Sequence, residues 1–178
     1  TDFDDDGRGK VLDWVTDKYG ADKVAHIITY GTMATKLAIK DVARVEKLPL
    51  DISNHLCKQI PDKLPDGLKM NLTNAIKCVP ELRQAEASSD LKLRETIRYA
   101  KMLEGNVRNT GIHACGTIIC RDPISDWVPV STAEDKADPG RKLLCTQYEG
   151  SVIEETGLIK MDFLGLKTLS ILKEAVEN

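Results

Sequence analysis

The sequence predicts an α+β fold: a small mixed sheet with flanking helices, and an all-helical segment inserted between its strands. Residues 24–30 (Val-Ala-His-Ile-Ile-Thr-Tyr) are β-branched and aromatic and end at Gly31, the pattern of a buried strand. From residue 33 to residue 103 the apolar spacing is helical and no strand signal occurs. Strand-like runs resume at residues 117–120, 143–148 and 158–164, so the sheet is left and then re-entered.

The chain opens Thr1-Asp2-Phe3-Asp4-Asp5-Asp6-Gly7-Arg8 without an initiator Met and reads as a piece of a longer protein. Such a density of carboxylates suits a solvated loop or the acidic first turn of a helix. Asp2 alternating with Phe3 also suits a strand end offering an oxygen ligand to Mg²⁺. Residues 10–19 then place Val11, Leu12, Val15 and Tyr19 on one helical face and stop at Gly20. Residues 33–48 form a second helix, with Ala38, Val42 and Val45 on one side and Lys36, Lys40 and Arg44 in a row on another. At about 1.5 Å rise per residue that row steps by roughly 6 Å. It suits either a plain solvated face or contact with successive phosphates.

Within residues 49–103, Asp51 is expected to cap a short helix carrying Ile52, Leu56 and Ile60, and residues 61–67 form a loop. A helix follows at residues 72–79, a polar connector at 80–90, and a longer helix at 91–103 with Leu93, Ile97, Ala100 and Leu103 inward. Residues 106–116 read as a loop that sets Arg108, Asn109 and His113 among Gly105, Gly111 and Gly116. Glycine lets backbone amides approach a phosphate and Arg can grip one bidentately, although a lone His in a turn is more often structural. An irregular segment surrounds Trp127, and residues 131–140 read as a polar loop.

Residues 157–168 place Asp162 in an apolar run of Leu158, Ile159, Met161, Phe163 and Leu164. If that run is buried, the carboxylate needs a cation or a metal. Lys160, two residues away and on the same strand face, can supply a local ion pair. Leu166, Leu169, Ile171, Leu172, Ala175 and Val176 continue as a helix.

Composition narrows the classes. With 25 Lys plus Arg against 28 Asp plus Glu the net charge is −3, so any nucleic-acid contact must come from local basic patches. The five Cys include no Cys-x-x-Cys pair, which argues for a reducing, cytoplasmic setting and against a disulfide framework or zinc knuckle. No run approaches the roughly 20 apolar residues of a membrane span, and there is no signal peptide, Walker loop, nucleophile elbow or HExxH motif.

Four blocks in order carry a family resemblance: Asp2-Phe3 with Arg8; His26-Ile-Ile-Thr-Tyr-Gly-Thr-Met-Ala-Thr-Lys36; Arg108-Asn-Thr-Gly-Ile-His113-Ala-Cys-Gly116; and Leu158-Ile-Lys160-Met-Asp162-Phe-Leu-Gly165-Leu-Lys-Thr-Leu169. Together they resemble the bacterial replicative DNA polymerase III alpha subunit, of the C-family polymerases. The resemblance implies a palm in two parts, residues 1–32 and 109–178, with a helical thumb at residues 33–108. It implies template-directed nucleotidyl transfer from dNTP to a primer 3′-hydroxyl, with Asp2 and Asp162 as catalytic metal ligands for Mg²⁺. The third acid of the family signature would precede Thr1, so the chain alone is expected to be inactive. Lys160, Arg108, Asn109 and His113 become candidates for nucleotide or phosphate binding, and Lys36, Lys40 and Arg44 for DNA. The implied partners are primer-template DNA, dNTP, a sliding clamp and other replicase subunits, with no membrane. Two other readings stay open: a non-catalytic helical DNA-binding or interaction module, and a metal-dependent nuclease, although no His or Glu is placed as a water-activating base.

Overall fold

A computed structural model describes residues 1–135 and 138–178. The chain divides into two compact units, residues 1–30 with 110–178 and residues 31–109.

The first unit is built on a mixed sheet. It opens with β1 (Asp2–Asp4) and α1 (Asp5–Tyr19). The acidic opening is therefore divided by role: Asp4 caps α1 by accepting from the Gly7 nitrogen at 2.9 Å, and Asp5 and Asp6 occupy the first turn, where negative charge suits the helix dipole. The helix starts five residues before the apolar spacing announces it, because capping chemistry rather than hydrophobicity sets its start. Next come β2 (Val24–Thr32) and, after the helical segment, β3 (Val107–Ile119), β4 (Val130–Glu134) and β5 (Lys142–Glu149). A short helix numbered α7 (Gly150–Glu155) precedes β6 (Lys160–Asp162), β7 (Leu164–Leu166) and α8 (Lys167–Glu177).

The larger sheet has the order β4-β5-β2-β3-β6, and β1 and β7 form a separate parallel pair. β2 runs parallel to β5, while β4–β5 and β3–β6 are antiparallel. One core packs Ala25, Ile27, Ile118, Ile124 and Ile153; a second packs Val15, Val24 and Phe163 with Phe3, Val11 and Leu12.

Two expectations for this part of the chain are corrected. Residues 107–116 are strand, not loop, because their glycines serve close packing rather than turning. A Cβ at Gly116 would lie 2.9 Å from Ile27 Cδ1 and 3.0 Å from His113 Nδ1, and one at Gly111 would lie 3.0 Å from Thr29 Oγ1. Residues 131–134 are the edge strand β4, whose polar side chains face solvent at a sheet border; Lys136 and Ala137 of the expected loop lie outside the described residues. α7 carried no expectation, and only Ile153 of it is buried. α8 forms as expected but buries none of its residues, leaving Ile171, Leu172 and Val176 more than half exposed.

The second unit is helical: α2 (Thr35–Val45), α3 (Leu50–Gln59), α4 (Leu72–Cys78), α5 (Pro80–Glu86) and α6 (Leu91–Leu103). Its core gathers Ala38, Ile39, Val42, Leu56, Ile60, Leu72, Ala75, Leu82, Ile97 and Ala100. α2 ends in a Schellman motif: Lys47 takes a left-handed φ of 56°, and the buried Leu48 donates to the Ala43 carbonyl at 2.9 Å. That stop leaves Val45 exposed, although its spacing suggested the core. Pro49, not Asp51, occupies the N-cap of α3. Residues 80–86, expected as a polar connector, are a helix with Pro80 in its first turn and Leu82 and Ala85 buried at i, i+3 spacing. Glu104 ties this unit together, accepting from the Leu72 nitrogen at 2.8 Å at the start of α4 and from the Thr35 hydroxyl at the start of α2.

Candidate functional site

The first unit brings Asp2 and Asp162 onto neighbouring strand ends. β1 pairs with β7 in the register Asp2↔Leu164 and Phe3↔Gly165. Leu164 donates to the Thr1 carbonyl at 3.0 Å, and the Thr1 nitrogen donates to the Asp162 carbonyl at 3.0 Å. Phe3 and Phe163 stack with ring centroids 5.9 Å apart, and Phe163 is buried. Successive strand residues point to opposite faces, so the core-facing phenyl rings turn Asp2 and Asp162 together toward the other side. Both aspartates are exposed there.

This corrects the expectation of a buried carboxylate. Within the apolar run only Phe163 is buried; Ile159 is 73% and Met161 44% exposed. The strands here are three residues long and lie at a sheet margin, so apolar composition does not produce burial. The Lys160–Asp162 pair does form, at 3.8 Å, but with side chains 27% and 48% exposed it is a weak surface pair.

β3 supplies the other wall. It pairs with β6 in the register Gly116↔Asp162 and Ile118↔Lys160, and the Phe163 nitrogen donates to the Cys115 carbonyl at 3.0 Å. The Cys115 thiol donates to Asp162 Oδ1 at 3.7 Å, and burial followed by the Asp162 charge pushes that thiol's pKa up. His113 Nδ1 accepts from the backbone nitrogens of Gly116 at 2.8 Å and Cys115 at 3.3 Å. A ring nitrogen that accepts carries no proton, so these bonds assign the His113 proton to Nε2 and make that atom the donor available to a ligand. Gly116 suits this point because a Cβ would crowd the imidazole and the tip of Ile27, at 3.0 and 2.9 Å. Arg8, from the first turns of α1, reaches the same place.

A cavity of about 550 Å³ beside this wall is lined by Arg8, His26, His113, Asp13 and Arg141 among others. Burial, then the Arg8 charge, lowers the His26 pKa, so the imidazole there is the neutral form near pH 7. Arg141 is engaged by Asp13 at 2.6 Å.

Asp2 and Asp162 fit Mg²⁺ by donor chemistry, being hard oxygen ligands exposed on one face. Mg²⁺ commonly uses one or two carboxylates, with water and substrate phosphate completing its shell. Among the described residues no group of three or more His, Cys, Asp or Glu is arranged to hold a metal.

The helical unit holds the remaining candidates. Lys36, Lys40 and Lys58 line a groove of about 270 Å³ with Asn54 and Cys57. Lys36 pairs with Asp62 at 3.3 Å, and Arg44 pairs with Asp41. Arg108 Nε donates to the same Asp41 carboxylate at 2.5 Å, and this bond holds the Asp41 pKa below the usual carboxylate range. Arg108 is thus engaged within the protein rather than set free in a loop. The Asn109 side chain fills the space beside Gly31, where any Cβ would collide with it. Sequence reasoning assigned no role to Arg8 or Cys115, whose partners lie 106 and 155 residues away for Arg8 and 47 for Cys115. No local pattern encodes contacts at that separation.

The first unit sets exposed Asp2 and Asp162 at the margins of its two sheets, and it is joined in sequence to a helical unit with a lysine-lined groove. The family model of the bacterial DNA polymerase III alpha NTPase domain matches residues 1–165. The DNA polymerase III alpha subunit of Thermus aquaticus is 44% identical over 175 residues, 98% of this chain and 14% of that protein. The corresponding subunit of Chlamydia trachomatis is 43% identical over 164 residues, 92% of the chain and 12% of that protein, and that of Deinococcus radiodurans is 44% identical over 174 residues, 98% and 12%. The chain belongs to the bacterial DNA polymerase III alpha subunit family. It spans 12–14% of the length of these relatives.

Proposed function

We propose that this chain is the palm-and-thumb portion of a replicative DNA polymerase, with residues 1–32 and 109–178 forming palm and residues 33–108 thumb. The intact protein would join a dNTP to a primer 3′-hydroxyl on a DNA template. The observation that carries this reading is the placement of Asp2 and Asp162 on one exposed face of adjoining strand ends. Asp2 and Asp162 would hold Mg²⁺, which when bound supplies charge stabilisation for in-line transfer at phosphorus. Lys160, within 4 Å of Asp162, would contribute a mobile positive charge toward the triphosphate. His113 would donate from Nε2 to a phosphate or base acceptor. Asn109 and Arg108 would contact the nucleic acid or nucleotide, Arg108 by exchanging its Asp41 partner for a phosphate. The intact protein would work with primer-template DNA, a sliding clamp and other replicase subunits in the cytoplasm.

The direct test is primer extension by the intact polymerase with Asp2→Asn. Extension should collapse while DNA binding persists; activity close to that of the parent would overturn the assignment.

Lys36, Lys40 and Arg44 would meet the DNA backbone along the groove that the two lysines share with Lys58. Replacing all three by Ala should flatten the plot of log affinity against log salt by up to about two to three contacts' worth, since each phosphate neutralised contributes about 0.9 to the duplex slope. The internal pairs of Lys36 and Arg44 make the smaller figure the expected one. An unchanged slope would return the row to ordinary surface.

A further inference from the structure

The geometry around Arg8 assigns it a part that its place in a motif does not disclose. Its Nε donates to the Phe163 carbonyl at 2.6 Å and its Nη2 to the Ala114 carbonyl at 2.7 Å. Phe163 directly follows Asp162, and Ala114 lies between His113 and Cys115. Arg8 itself sits on α1, the helix that β1 and Asp2 lead into. One planar group therefore fastens together the three segments that carry Asp2, Asp162 and His113. Gly165 makes room for it: a Cβ there would lie 3.1 Å from Arg8 Cδ and 3.4 Å from the Asp5 Cα. Both bonds run to neutral backbone carbonyls, so neither serves to satisfy a carboxylate partner. A guanidinium suits this task because its donors are fixed in one rigid plane, whereas an ammonium is a single point of donation on a flexible stem.

Resting on the reading of Asp2 and Asp162 as metal ligands, we propose that Arg8 is a positioning residue that fixes the separation of the two carboxylates. The β1–β7 pairing and the Phe3–Phe163 stack hold the two backbones side by side, while the carboxylates themselves stand exposed at the margin. The carboxylates tend to separate when no cation lies between them. Arg8 opposes that separation by tying the Asp162 segment to the helix behind Asp2. The expected consequence of losing it is weaker metal capture with the fold retained, in the range seen for residues that orient metal ligands from outside the coordination shell.

The test uses the intact alpha subunit and Mn²⁺ as the probe, with free Mn²⁺ followed by electron paramagnetic resonance and folding followed by thermal melts. The relevant signal is the component of Mn²⁺ binding that Asp162→Asn removes. Arg8→Ala should weaken that component by about 10-fold or more, and added methylguanidinium should restore part of it. Arg8→Lys, which keeps the charge and most of the packing, should also weaken it and should gain nothing from methylguanidinium. Parent-like Mn²⁺ affinity in folded Arg8→Ala, or in Arg8→Lys should the alanine variant not fold, would overturn the proposal, as would a lowered melt with unchanged affinity. Should Asp162→Asn itself bind Mn²⁺ like the parent, the reading of the carboxylates fails first and the role of Arg8 falls with it.

Discussion

Asp162→Asn in the intact polymerase should lower the rate of primer extension by a factor on the order of 10³ while leaving the melting temperature nearly unchanged. The amide keeps the shape of the side chain and removes the anion that would hold the metal. Loss of about 4 kcal/mol of transition-state stabilisation corresponds to that factor. The small effect on stability follows from exposure. Asp162 and Lys160 lie 3.8 Å apart with side chains 48% and 27% exposed, and such pairs contribute about 1 kcal/mol or less. A buried pair would behave differently, since breaking one typically costs about 3–5 kcal/mol. Metal-free melts and Mg²⁺-dependent extension on the same preparations distinguish the cases. A melt lowered by many degrees together with near-normal extension would make Asp162 a structural residue.

The second large effect is in the helical unit. Leu82→Ala should destabilise it by about 2–5 kcal/mol, the usual range for removing a fully buried leucine side chain. Leu82 is wholly buried in α5 and belongs to the core shared with Ile97, Ala100 and Leu72. Gln84→Ala, on the exposed side of the same helix, should change stability by about 0.5 kcal/mol or less. Denaturant titration of both variants supplies the comparison. Equal midpoints would mean that residues 80–86 do not pack as a helix against the core.

α5 also illustrates where local reading gives out. Its apolar content is Leu82 and Ala85 alone, too little for a periodic signal, yet Pro80 at the first turn was a start marker that polar composition masked. The bounds of the longer α6 are legible because Leu93, Ile97 and Ala100 repeat at helical spacing over about two turns, but Leu103, expected inward, is 41% exposed at the helix end. β3 failed in the opposite direction. Its glycines looked like turn residues, and only the neighbouring β2 and β6, with Ile27, Thr29 and Lys160, reveal that they are there to admit close neighbours. The acidic opening likewise held a cap, a helix turn and a strand carboxylate in five residues, and which acid did which depended on where β1 stopped.

The sequence by itself determined the family and the α+β class, and it singled out Asp2 and Asp162 as candidates, since these readings rest on residue types in a fixed order. Tertiary structure alone decided that Asp162 is exposed rather than buried, that Arg108 is held by Asp41, and that the His113 proton resides on Nε2. It alone revealed the Arg8 bridge. Burial and hydrogen-bond partnership depend on which distant segments come together, and 155 residues separate Arg8 from the carbonyl of Phe163. Strand alternation fixes which side chains share a face only once the pairing register is set, and that register is a property of the fold.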